Sequence, residues 1–223
     1  MLEIAKKSAF VLLSTNHGMM IINKNDYRDY TDNQGETHRL GVGHQLLETG
    51  QYEPIEMDFT LGLLERRRKS HGDGVIAIDC GANIGLFSIE WARLMTDWGR
   101  VISFEAQEKI FYAFTGNIVL NNCLNIQAIH AAVGNQVGTM QIPEPNYFLP
   151  GSFGSLDLEE RPNNMFIGQE IDYCKTVSVD LKSIDSLMLE RLDFLKIDVE
   201  GMEEAVILGA ENSIKKLKPI ILV

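Results

Sequence analysis

The sequence predicts an α/β fold: a mostly parallel sheet with helices on both faces, preceded by a β-hairpin and a helix. Three observations carry this. From residue 75 onward, apolar strand-like runs alternate with runs at helical spacing. Within "VIAIDCGANIGLF" (75–87) a strand ends in an aspartate, turns through two glycines and enters a helix. Before residue 75 that alternation is missing, and short apolar runs flank turn residues instead.

Taken in order, "FVLLS" and "MMIIN" on either side of Thr15–Gly18 predict the hairpin. "EPIEMDFTLGLLERRR" (53–68) places Ile55, Phe59 and Leu63 at four-residue steps, which predicts an amphipathic helix. "HGDG" (71–74) is a turn. These parts form an N-terminal extension over 1–73 that packs on a core domain over 74–223. In the core, "VIAID", "RVISFEA" (100–106), "NIQAIHAAV" (125–133), "TVSVD" (176–180), "DFLKIDV" (193–199) and "PIILV" (219–223) read as strands. "IGLFSIEWARLM", "KIFYAFTGNIVLNN" (109–122), a short stretch near Ile184–Leu189 and "MEEAVILGAENSIKK" (202–216) read as helices. Residues 143–172 follow no period. A stretch this long is usually a lid or binding loop, and Tyr147, Phe148 and Phe153 argue against plain disorder.

Composition excludes some functions. The net charge is −11, the opposite of what a phosphate-neutralising protein carries, so nucleic acid is not an expected partner. "ERRRK" (65–69) is the one basic cluster; it is either an anion patch or the dipole-matched end of a helix. No apolar run reaches the ~18 residues of a membrane span, and the apolar patch at Ala9–Leu13 is short for a secretory leader and reads as a strand. Cys80, Cys123 and Cys174 are odd in number and lack a CxxC pair, which suits buried thiols in a reducing cytosol. The expected location is cytoplasmic.

Ligands of parallel sheets sit at the carboxyl ends of the strands. A dinucleotide site needs G-x-G-x-x-G, whereas this loop runs Asp79-x-Gly81-x-Asn83-x-Gly85. An aspartate at the strand end would repel a pyrophosphate and suits a ligand with an ammonium group, such as S-adenosylmethionine. Twenty residues past Gly85, Glu105 ends the second strand. A carboxylate there accepts from a ribose diol, or else caps the following helix. In "DFLKIDVEGMEE" (193–204), alternation puts Phe194, Lys196, Asp198 and Glu200 on one side. Lys196 and Asp198 need partners if buried. Asp198 and Glu200 are either site carboxylates or members of an ion pair and a helix cap.

These residues together resemble the FkbM-type methyltransferases. The likeness runs through "HGMMIINKNDY", "LETGQYEPIE", "IDCGANIGLFS", "SFEA", "NIVLNN", "AAVG" and "TVSVDLKSIDSL" to "LDFLKIDVEGMEEAVILGA" and "PIILV". The pairing of "DCGANIG" with "LKIDVEGME" is its specific part. The resemblance implies a Rossmann-like class I methyltransferase using S-adenosylmethionine and releasing S-adenosylhomocysteine. It implies transfer to oxygen, commonly a hydroxyl of a sugar or natural product, so the expected partner is a small-molecule or glycan acceptor. It assigns Asp79, Gly81, Asn83 and Gly85 to the methionine part, Glu105 with Ala106 to the ribose side, and Ala131 of "AAVG" to the region of the adenine. His130 reads simply as a strand residue. Asp198 and Glu200 become candidates for the general base that a hydroxyl nucleophile needs. Tyr52 and Glu53 of "GQYE" close over the site, and Gly154 and Ser155 of the aperiodic segment contribute to the acceptor pocket. No metal is expected, because no histidine or further acidic cluster backs these carboxylates. Members usually continue past "PIILV" into a final hairpin; this sequence stops at Val223 without that hairpin, so the expectation is that either the sequence is incomplete or the domain is truncated, which leaves the substrate pocket undetermined. The rival readings are a silent adenosine-binding module and a nicotinamide oxidoreductase, the latter disfavoured by the missing glycine spacing.

Overall fold

The structure is a computed structural model that describes residues 8–223; the first seven residues of the expected N-terminal extension lie outside it. In chain order the elements are β1 (Phe10–Thr15), β2 (Gly18–Asn23), β3 (Arg28–Thr31), β4 (Thr37–Leu40), α1 (Val42–Thr49), α2 (Pro54–His71), β5 (Val75–Cys80), α3 (Leu86–Leu94), β6 (Gly99–Glu105), α4 (Glu108–Leu120), β7 (Ile126–His130), β8 (Ala132–Val133), β9 (Gly138–Pro143), β10 (Thr176–Lys182), β11 (Phe194–Ile197), α5 (Glu203–Leu208), α6 (Glu211–Leu217) and β12 (Ile220–Leu222). Single 3-10 turns occupy Phe153–Ser155 and Ile184–Leu187.

The chain divides into two compact units. One comprises Glu53–Gln141 and Ser178–Val223. Its centre is a five-stranded sheet in the order β12-β11-β5-β6-β7, with every pairing parallel. Both faces of β5 are buried along its whole length, as the continuous apolar run requires. One face carries Ile76, Ile78, Cys80, Ile102, Phe104, Leu195 and Ile197 against Val206 and Ala210. The opposite face carries a polar row, because register sets Lys196 of β11 beside Asp79 of β5, and Asp79 beside Ser103 of β6. β8, β10 and β9 make a smaller sheet in that order.

The other unit comprises Met1–Tyr52 and Ile142–Val177. β1 and β2 form the expected hairpin with Asn16 and His17 as its two-residue turn. The aperiodic segment is ordered on the chain just after β2. Asn23 Nδ2 donates to the Tyr147 carbonyl (3.0 Å), Gly151 N to the Asn25 carbonyl (3.0 Å), and Arg28 Nη1 to the Phe166 carbonyl (3.2 Å). Phe153 and Ile167 are buried, and Phe153 lies 4.9 Å from the Tyr147 ring. Backbone groups without regular partners are here satisfied by side chains and carbonyls of a neighbouring segment.

Several expectations need correction. The unit boundary falls after Tyr52 and not at residue 73, so α2 belongs with the large sheet, and residues 142–177 belong with the N-terminal part. Within α2 the buried stripe is Met57, Thr60 and Leu64, while Ile55 and Phe59 are exposed. The run over 125–133 breaks at Ala131, because β7 pairs with β6 whereas β8 pairs with β10. The helix over 202–216 breaks at Gly209, whose Cβ position lies 2.0 Å from the Gly134 carbonyl oxygen. The strand over 193–199 ends at Ile197, so Asp198 and Glu200 lie in the turn beyond it. Cys174 is exposed, unlike Cys80 and Cys123. The hairpin β3–β4, helix α1 and strand β9 were not anticipated.

Candidate functional site

The glycine loop follows β5 and is built from left-handed backbone. Gly81, Asn83 and Gly85 have φ of 83°, 51° and 92°. Glycine adopts this region freely, and asparagine tolerates it better than most side chains. Gly81 also has no room for a side chain: its Cβ would sit 1.8 Å from the Asp198 carbonyl oxygen. At Gly85 a Cβ would sit 2.2 Å from Phe114 Cδ2, so α4 supports the loop from below. The Gly81 and Ala82 amides donate to the Phe104 carbonyl (3.0 and 2.8 Å), and Asn117 Nδ2 donates to the Ile84 carbonyl (2.9 Å).

Glu105 is joined directly to this loop. Its Oε2 accepts from the Asn83 amide at 2.9 Å, and its Oε1 accepts from the Gln107 amide at 2.8 Å. Gln107 is the residue that opens α4, so the capping alternative is realised as well. Burial pushes the Glu105 carboxyl up to about 7 despite these bonds. Ala106 and Ala131 flank it, and the Ala131 amide donates to the Glu105 carbonyl (3.1 Å). His130 reaches the Ala106 carbonyl with Nε2 at 3.1 Å, its ring stacked on Phe111. It acts in the strand and its neighbours, as expected.

Beneath the loop runs a buried polar chain. Ser103 Oγ meets Ser88 Oγ at 2.8 Å, and Ser88 Oγ donates to Asp79 Oδ2 at 2.6 Å. Asp79 Oδ1 has no hydrogen-bond partner among the described residues; Lys196 Nζ is 3.9 Å from it. Lys196 Nζ donates to Asp198 Oδ2 at 2.6 Å and lies 5.0 Å from the centre of the Phe87 ring. Burial raises the Asp79 carboxyl, with Lys196 and Ser88 opposing the shift. Burial alone would pull the Lys196 ammonium down, but Asp79, Asp198 and Glu56 outweigh it and hold it raised. The ion-pair reading of Lys196 and Asp198 is therefore present in the structure.

The large unit thus brings Asp79, Gly81, Asn83, Gly85, Glu105, Ala106, Ala131, Asp198 and Glu200 to the carboxyl edge of β5, β6, β7 and β11. Asp198 is exposed and Glu200 half-buried. Glu53 is exposed at the start of α2, where its carbonyl accepts from the Met57 amide (2.8 Å). Tyr52, Gly154 and Ser155 belong to the other unit. The Tyr52 amide donates to His17 Nε2 (3.0 Å), and Ser155 Oγ meets Ser152 Oγ (3.1 Å). Sequence reasoning missed three residues. Ser88 and Ser103 carry no motif: strand register sets Ser103 beside Asp79, and helix α3 brings Ser88 to both. Glu56, in the first turn of α2, bears electrostatically on Lys196 and Asp198. Its place three residues past "GQYE" is the sequence signal for it.

An S-adenosylmethionine molecule finds suitable chemistry here. Asp79 Oδ1 is a buried acceptor at a strand end without a hydrogen-bond donor, the kind of group an ammonium satisfies. Each Glu105 oxygen keeps a lone pair after its amide bond. Acidic side chains at the ends of β5 and β6, Asp79 and Glu105, are the wrong surroundings for a pyrophosphate.

The FkbM methyltransferase domain model matches residues 79–223, from the aspartate of this loop to β12. The chain belongs to the FkbM methyltransferase family. Among curated proteins, methyltransferase sdnD of Sordaria araneosa is 28% identical over 161 residues, 60% of each chain. Methyltransferase 1 of Beauveria bassiana is 26% identical over 155 residues, 63% of this chain and 60% of that one. The chain therefore spans about 60% of the length of these relatives. Among solved structures, methyltransferase FkbM from Methylobacillus flagellatus KT is 19% identical, covering 67% of this chain and 32% of that one at a TM-score of 0.43. Among the described residues no helix is long and apolar enough to cross a membrane.

Proposed function

We propose that the chain transfers a methyl group from S-adenosylmethionine to a hydroxyl oxygen of a sugar or small natural product. The observation that carries this reading is the Asn83–Glu105 hydrogen bond (2.9 Å), which joins the non-dinucleotide glycine loop to the second strand's terminal carboxylate in one site. Family membership supports methyl transfer; oxygen as the acceptor atom rests on the family resemblance.

S-adenosylmethionine supplies an electrophilic methyl on a sulfonium when bound. The chain's own residues hold, orient and deprotonate. Asp79, Gly81, Asn83 and Gly85 would receive the methionine part, Glu105 the ribose diol, and Ala106 and Ala131 the adenine side. The loop's hydrogen bonds and left-handed turns pre-organise this cradle, so little ordering is left for binding. The main task is to hold a hydroxyl about 3 Å from the methyl and keep water out. Asp198 and Glu200 stand at the end of β11, where one of them would accept the hydroxyl proton. Asp198 also holds Lys196, which favours a second role for it as the partner that keeps a buried ammonium charged. Glu53, at the start of α2, is assigned to the acceptor side.

Calorimetry tests the reading. S-adenosylhomocysteine is expected to bind and NAD is not; tight NAD binding with none for S-adenosylhomocysteine would overturn it.

A further inference from the structure

Asp26 lies between β2 and β3 and is 2% exposed. Its Oδ2 accepts from the Gly43 amide at the start of α1, and its Oδ1 accepts from the Phe153 amide in the aperiodic segment, each at 3.1 Å. Its carbonyl accepts from the His44 amide at 3.1 Å. The packing around it leaves no slack. A Cβ at Gly43 would sit 2.2 Å from the Asn23 carbonyl oxygen, and one at Gly41 would sit 2.3 Å from the Asp26 carbonyl oxygen. All of these residues belong to one compact unit. One side chain therefore ties the start of α1 to residues 143–172.

No ion pair reaches this carboxyl among the described residues, and the only influences on it are burial and the two amides. The charged groups of the packed elements are turned elsewhere. His44 Nε2 lies 3.4 Å from Glu48, and Arg28 Nη1 is bound to the Phe166 carbonyl. On the aperiodic segment, the 3-10 turn over Phe153–Ser155 carries no charged residue. A carboxylate buried without a cation is costly, and two amide donors offset only part of that cost.

We infer that Asp26 is a positioning residue for the 143–172 segment, a clamp that is tight while its carboxyl is protonated and loosens once it ionises. An ionised Asp26 regains its hydration only when the clamp opens. Burial raises its pKa to about 7 from an ordinary 3.8, which places the change within the neutral range. The sign follows from a raised folded-state value: the clamp is tightest below the free acid's value, weakens as pH rises, and levels off above about 7. The clamp does not rest on the function proposed above.

Hydrogen exchange on the full chain tests it, read at the peptide containing Phe153 and corrected for intrinsic rates. In the wild type the opening constant is expected to be ~100-fold larger at pH 8 than at pH 5. Asp26→Asn, which cannot ionise, is expected to show no such pH dependence. A flat wild-type profile, or the wild-type dependence persisting in Asp26→Asn, overturns the proposal; the first comparison decides even if the variant fails to fold. S-adenosylhomocysteine calorimetry on the same samples keeps the two readings apart. Failure of both proteins to bind it would count against the proposed function while leaving the exchange result to decide the clamp.

Discussion

Glu105 accepts from the amides of Asn83 and Gln107, and its second lone pairs are what a ribose diol would use. Glu105→Ala is expected to weaken S-adenosylhomocysteine binding by about 3 kcal/mol, roughly 100-fold, since charge-assisted bonds are lost. An unchanged dissociation constant would reduce Glu105 to a helix cap. Its pKa near 7 adds a pH dependence. Ribose hydroxyls donate best to the ionised form, so affinity should be flat above pH 7.5 and weaken by up to ~10-fold per unit below 7. Glu105→Gln should remove that slope. Asp198 separates base from ion-pair partner. As a base, its replacement by Asn cuts turnover by about 100- to 10,000-fold with S-adenosylhomocysteine binding intact. As the partner of Lys196, the same change chiefly lowers the melting temperature, because it leaves a buried ammonium less compensated.

The loop after β5 is an element whose shape leaves little freedom in its residues. At Gly81 a Cβ would lie 1.8 Å from the Asp198 carbonyl oxygen, so Gly81→Ala must push the ends of β5 and β11 apart. A loss of about 1–3 kcal/mol in urea unfolding is expected, with weaker S-adenosylhomocysteine binding. Neither effect would appear if the loop moved without cost. The aperiodic segment calls for a different kind of test. Deleting 151–155 would remove Phe153, which is fully buried, and would report on folding. Phe148 is 66% exposed on the same segment. Phe148→Ala should leave the urea midpoint unchanged, since this side chain is outside the core; a lowered midpoint would give it a packing role.

Across the whole molecule, three buried carboxyls shift the same way. Asp26, Asp79 and Glu105 are raised by burial, the first and last to about 7. Between about pH 4 and 7, Asp26 and Glu105 keep their protons in the folded state while the unfolded chain gives them up. Stability is therefore fully present below about pH 4 and is lost as pH rises to about 7, by at most about 4–5 kcal/mol for Asp26 and about 3–4 kcal/mol for Glu105. The net charge of −11 adds self-repulsion in the same direction. Asp185, lowered by its bonds to Asn212 and Ser213, works against this with a smaller burial. Urea midpoints should be higher at pH 5.5 than at pH 8. The reverse order would mean that lowered carboxyls such as Asp185 dominate.

The sequence by itself determined the parallel sheet, the glycine loop and the strand-end carboxylates. Those features are local: an apolar run, a turn that demands left-handed backbone, and a spacing of twenty residues from Gly85 to Glu105. It also determined that Lys196 would need a partner, since a charged residue in a central strand cannot stay unpaired. Tertiary structure decided what depends on register and on distant contact. Only the alignment of β11, β5 and β6 sets Lys196, Asp79 and Ser103 in one row. Only the fold reveals that Gly209 stops a helix by lying against Gly134, or that α2 buries Met57, Thr60 and Leu64 in place of Ile55 and Phe59. Residues 143–172 carry no period because their order comes from bonds to residues 23–28, more than a hundred positions away in the chain. Periodicity records which face of an element meets the core; it is silent wherever a segment is held through its backbone by another part of the chain.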